Sequence, residues 1–307
     1  MERFHRGSHM TESAIAEAHR RLVGIGLMIG AFAFFSLLDA TAKYLLESLG
    51  AGLVVFGRYA FSFVFVAVWV WHQGGASLLV TGNGPLQVVR GLLLVISTVT
   101  NFMALGYLQL VQTSSIAFSN PLWVCALSPL LLGERVGPRR WFAVIVGFIG
   151  VLLIIRPGTV NFHWAMLLSL TAALSTALYQ IATRKVGAED RALTSLFYVS
   201  LVGSFAAAPI APIGWAMPDL GQWGLLALMG FYGMFGHFML TQAHRMAPAP
   251  ALAPFVYVQI IWMTLIGYLV FGDIPDAVTV AGASVVVASG LYVFYRERLV
   301  QNPLGDQ

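Results

Sequence analysis

The sequence predicts an all-α membrane protein of ten transmembrane helices, arranged as two inverted five-helix repeats. Three observations carry this expectation. Apolar residues make up 58% of the 307-residue chain and charged residues only 10%, too little charge to cover a soluble protein of this size. The apolar residues fall in runs of about twenty, the length a helix needs to cross the hydrocarbon core of a bilayer. Finally, the chain repeats itself at an offset of about 140 residues.

Residues 1–21 come before the first span. Arg6-Gly7-Ser8-His9-Met10 has the composition of a cleaved-tag remnant, and Met10 to Arg21 reads as a short polar lead. No small-residue cleavage site follows the first apolar run, so that run is not read as a signal peptide. Spans are expected at 22–47, 52–72, 86–106, 112–132, 138–156, 162–185, 191–214, 221–244, 250–271 and 276–296. Between them stand Gly50, Gly74-Gly75, Gly82 to Pro85, Gly137-Pro138, Pro157-Gly158, Pro218 and Pro275, residues that break helices and form turns. The first repeat then covers 22–156, the second 157–296, and a tail 297–307. Every loop is short, so no soluble domain fits between the spans.

Basic residues orient the bundle. With the N-terminus in the cytoplasm, Arg20, Arg21, Arg90, Arg135, Arg139, Arg140, Arg184, Lys185, Arg191, Arg245, Arg296 and Arg298 fall at cytoplasmic ends. Only Arg156 falls outside, with Lys43 and Arg58 inside the outer helix ends. This bias places both termini in the cytoplasm. It also accounts for the basic pI without a nucleic-acid partner, since no basic face with interleaved aromatics lies outside the bilayer.

The repeat aligns Asp39 with Gln180, Lys43 with Arg184, Phe56 with Phe197, and Asn101-Phe102-Met103 with His237-Phe238-Met239. It also aligns Asn120 and Trp123 with Gln259 and Trp262, Gly133-Glu134 with Gly272-Asp273, and Arg156 with Arg296. Because each half has an odd number of helices, the second enters the membrane from the opposite side. This inverted architecture underlies many alternating-access carriers.

Ionisable groups inside spans mark candidate sites. Asp39 and Lys43 are four apart on one helix, so they share a face and can pair. Read functionally, Lys43 or Arg58 attracts a carboxylate, while Asp39 attracts an ammonium or carries a proton. Read structurally, they are an ion pair and snorkelling cations. The Asn120/Trp123 and Gln259/Trp262 pairs suit a midplane cavity, with aromatic walls and amides for polar groups, or else fill a helix interface. Asn101, Tyr179 and His237 complete the candidate cavity, and His237 is either a proton-coupling group or a neutral hydrogen-bonding one. Asp39, Arg58 and His237 are the gate or proton-coupling candidates. Glu134 and Asp273 are expected to bond loop amides or Arg135 and Arg139. Pro121, Pro129 and Pro254 interrupt the fourth and ninth spans, and Gly147 with Gly150 permits close helix packing.

The run Leu131-Leu132-Gly133-Glu134-Arg135, then Gly147 and Gly150, echoed by Phe271-Gly272-Asp273, resembles the EamA-type members of the drug/metabolite transporter superfamily. Overall the chain is most similar to the aromatic amino-acid exporters of the YddG type. The resemblance implies a secondary transporter in the bacterial inner membrane that exports aromatic or other neutral amino acids by alternating access. The alternative is broad efflux of drugs or amphipathic cations. The implied partners are a small-molecule substrate and membrane lipid, with the chain a monomer or a dimer. No catalytic motif, ATP-binding loop, metal-ligand cluster or cofactor motif is found. The single cysteine, Cys125, reads as a small buried apolar residue.

Overall fold

In the computed structural model, which describes residues 2–133, 136–186 and 191–301, all regular structure among those residues is helical. Glu134 and Arg135, and the side chains of Arg184 and Arg298, lie outside the described residues. The helices are α1 (Glu2–Leu45), α2 (Ala51–Gln73), α3 (Gly84–Leu105), α4 (Leu110–Ala117), α5 (Asn120–Leu131) and α6 (Pro138–Ile155). The second half has α7 (Ala165–Val186), α8 (Ala192–Ala207), α9 (Leu220–Met246), α10 (Ala249–Val256), α11 (Val258–Ile266) and α12 (Ala277–Gln301). Together they make 10 spans long and apolar enough to cross a membrane. The polar lead is helical and runs without a break into the first span.

The fourth and ninth spans are each broken once, at matching places. Ser119 separates α4 from α5, and Pro121 in the first turn of α5 supplies no amide to continue the ladder. Tyr257 separates α10 from α11, three residues after Pro254. Both spans end on a left-handed glycine, Gly133 and Gly272, each at φ 69°. This cap is cheap only for a residue without Cβ. The second half alone adds a π turn, Gly267–Phe271.

Phe118 and Tyr257 are repeat mates, and their rings touch with centroids 5.2 Å apart. A residue that contacts its own repeat mate lies beside the pseudo-two-fold axis, so the two breaks face each other at the centre. The helices α6 and α12, which occupy equivalent places in the two repeats, also pack directly on each other. A Cβ on Gly150 would stand 3.0 Å from the Gly282 carbonyl oxygen, and one on Gly282 would stand 2.8 Å from that of Gly150. The glycines thus permit close packing, as expected. The outward side of α6 carries Phe142, Ile145, Ile149 and Leu152, all exposed. An apolar face of this extent suits lipid, not water.

Candidate functional site

The basic residues Arg20, Arg21, Arg139, Lys185, Arg191 and Arg245 are exposed at one end of the bundle, called here the basic end. A polar stripe starts near that end and runs along α3 through Gln87, Arg90, Ser97, Thr98 and Asn101. The spacing keeps one helical face turned inward. Ser97 fixes this face to α7, with its hydroxyl 2.7 Å from that of Thr176 and 3.1 Å from the Ala172 carbonyl oxygen.

Near the opposite end of the stripe, the Asn101 amide donates to Asp39 at 3.3 Å. Arg58 is buried and donates to the Thr98 hydroxyl, which also meets the Tyr59 hydroxyl at 2.8 Å. Its guanidinium lies 4.8 Å from the Tyr59 ring centroid and 5.8 Å from that of Phe102. Tyr59 reaches this position because Gly203 leaves room: a Cβ there would fall 2.1 Å from the tyrosine ring. Arg58 and Asp39 do not form an ion pair with each other. Each charge is held by a neutral partner.

Lys43 is not the partner of Asp39. One turn further along α1, its Nζ reaches across the repeats to Asp273 at 2.8 Å and to the Leu108 carbonyl oxygen at 3.0 Å. It also lies 4.9 Å from the Phe271 ring. The long lysine stem carries its charge beyond α1, while the shorter Asp39 turns inward to Asn101. Asp273, expected to bond loop amides or Arg135 and Arg139, is therefore the counter-ion of Lys43. At the same end Arg156 bonds Asp276.

Arg90 also departs from expectation. It is only 3% exposed and does not project from a helix end. Its Nε donates to Thr183 at 2.9 Å, its Nη1 to Gln87 at 2.6 Å and Ser195 at 3.2 Å, and its Nη2 to Tyr179 at 3.4 Å. An arginine a few residues inside a span looks like a loop charge in sequence. His237, half-buried on α9, packs against the Phe35 ring at 4.9 Å.

A second polar group surrounds the breaks. Buried polar atoms of Ser115, Ser119, Asn120, Trp123, Tyr257 and Trp262 have no hydrogen-bond partner among the described residues. Such atoms are normally satisfied by water or a bound solute. Trp123 packs with Ala177 and Ile181 of α7, and Trp262 with Met28 and Phe32 of α1, so the repeat mates occupy equivalent places. Gln259 is half-buried on α11. A cavity of about 490 Å³ opens elsewhere, between Val111, Ile260 and α12. Its hydroxyls, on Thr264 and Ser284, are satisfied within their own helices. It therefore offers an apolar groove and no recognition chemistry.

The EamA-like transporter family model matches residues 22–156 and again 163–295. The S-adenosylmethionine uptake transporter of Rickettsia prowazekii is 30% identical over 86% of this chain and 89% of its own. The pseudopaline exporter CntI of Pseudomonas aeruginosa is 28% identical over 87% of this chain and 94% of its own. A crystal structure with 17% identity has a TM-score of 0.63, covering 94% of this chain and 99% of that one, and is similar in fold. Matched in both halves and folded as ten membrane-spanning helices, the chain belongs to the EamA-like transporter family and is a multi-pass membrane transporter of small solutes.

Proposed function

We propose that the chain carries a solute with a free α-amino-acid head group and a flat apolar or aromatic remainder. The carrying observation is the pair of opposite charges, buried Arg58 and half-buried Asp39, held by Thr98 and Asn101 three residues apart on α3 without neutralising each other. Two charges kept inside a bilayer are costly. A zwitterion offsets that cost, its carboxylate meeting the guanidinium and its ammonium the Asp39 carboxylate. Tyr59, Phe102, Trp123 and Trp262 supply flat apolar surface for the remainder, and the unpartnered polar atoms at the breaks supply hydrogen bonds.

Two solutes fit this description. One is an aromatic amino acid such as phenylalanine, exported from the cell. The other is S-adenosylmethionine, which bears the same head group and matches the relatives named for its uptake. In this reading the basic end faces the cytoplasm of a bacterium, both termini are cytoplasmic, and the chain lies in the inner membrane. Transport proceeds by alternating access, the two repeats exchanging conformations.

Counterflow into proteoliposomes tests the proposal. Vesicles are loaded with unlabelled S-adenosylmethionine or phenylalanine and given the same labelled solute outside. Transient accumulation of at least one label, abolished in Asp39→Asn, is the expected result. Accumulation of neither, by folded protein, while a cationic dye lacking a carboxylate is carried, would replace this reading with amphipathic-cation efflux.

A further inference from the structure

We propose that Arg90 and Tyr179 form a second anion station, near the basic end, which takes the carboxylate of the transported solute as it enters or leaves on that side. This rests on the reading of the solute as bearing an α-amino-acid head group.

The guanidinium of Arg90 is buried, and every acceptor it meets among the described residues is neutral: Gln87, Thr183, Ser195 and Tyr179. Among the described residues no carboxylate pairs with it. Neutral acceptors satisfy N–H groups but leave the charge uncompensated, an arrangement expensive inside a membrane bundle and suited to an anion that comes and goes. Of its five N–H groups, those on Nε and Nη1 are held at 2.6–3.2 Å. The Nη2 edge is different. It makes one long bond of 3.4 Å, to the Tyr179 hydroxyl, and its second N–H has no acceptor among the described residues.

That hydroxyl accepts from Arg90 and retains its own proton to donate. The second Nη2–H and the Tyr179 O–H together present two donors on one edge of the guanidinium. Tyr179 is half-buried where Arg90 is covered. Its ring also stacks on the cation, with the guanidinium carbon 5.2 Å from its centroid.

Position supports a relay. Arg90 and Thr98, the partner of Arg58, share the inward face of α3 and lie about 12 Å apart along the helix axis. A carboxylate leaving Arg58 finds its next cation about two helical turns nearer the basic end.

The test uses full-length protein in vesicles of known orientation, and whichever labelled solute undergoes counterflow in wild type. Half-saturation is measured separately on each side. Arg90→Gln is expected to raise it by about tenfold or more on the basic-end side, with little change on the other. Tyr179→Phe should raise it less, on the same side. A decarboxylated analogue of the same solute, used as an inhibitor on the basic-end side, should be insensitive to both substitutions. Equal effects on both sides, or an equal effect on the decarboxylated analogue, would make Arg90 a structural tie between α3, α7 and α8 and overturn the station. If Arg90→Gln does not fold, Tyr179→Phe and the wild-type comparison decide: inhibition on the basic-end side by the decarboxylated analogue as strong as by the parent solute rejects the station. Counterflow of neither solute by wild type rejects the head-group reading itself, and the station with it.

Discussion

At the scale of single residues, the site is built from charges that have neighbours but no counter-ions. Arg58→Lys keeps the charge but loses the planar fork, so affinity for the solute should fall by about tenfold while the fold is retained. Half-saturation in counterflow beside the melting temperature separates these effects. Gly203→Ala acts one step away. The added methyl would stand 2.1 Å from the Tyr59 ring, so the ring must move and take its hydrogen bond to Thr98 with it. The expected outcome is slower transport and a loss of roughly 1–3 kcal/mol of stability, read from rate and thermal unfolding. Asp39 and Arg58 stood out in the sequence because an ionisable group inside an apolar run rarely lacks a reason, and Asn101 because the repeat aligns it with His237. Arg90 did not, because position near a span end gives a snorkelling arginine and a buried one the same sequence signature.

At the scale of elements, the end opposite the basic one is laced across the repeats. Lys43 ties α1 to the junction before α12 through Asp273, and Arg156 ties the end of α6 to Asp276. Exchanging the first pair, Lys43→Asp with Asp273→Lys, should restore most of the transport lost in either single variant. Activity no better in the double variant than in the singles would show that Lys43 serves something other than this link. Asp276 is a titratable handle on the second link. Desolvation raises its carboxyl, but the Thr279 amide and Arg156 outweigh it and hold the group below its ordinary 3.8. A lowered folded value means that stabilisation is present above 3.8 and is lost as pH falls through the folded value. The melting-temperature difference between wild type and Asp276→Asn should therefore be present at neutral pH and vanish on strong acidification. These links could not be read from sequence. Lys43 and Asp39 satisfy the local four-residue rule, whereas the real partner lies in the other repeat. The spans were legible to within a few residues because lipid demands unbroken apolar length. The break at Ser119 was signalled by Pro121, while that at Tyr257 had only the more distant Pro254.

At the scale of the whole molecule, two similar halves meet at Phe118 and Tyr257 and at the Gly150–Gly282 crossing, leaving polar groups around the shared centre. Gly150→Leu should separate α6 from α12 and lower the melting temperature, since the facing carbonyl cannot yield. The fold was readable from composition and repetition, which register the solvent and the symmetry. Specificity was not, because it depends on which charges are left unpaired once the halves pack. The most direct test of the central claim is equilibrium binding of labelled S-adenosylmethionine or phenylalanine to purified protein, competed by analogues lacking only the carboxylate or only the amine. The account predicts that the complete head group competes and that each truncated analogue is weaker by about tenfold or more. Equal competition by all three would contradict it.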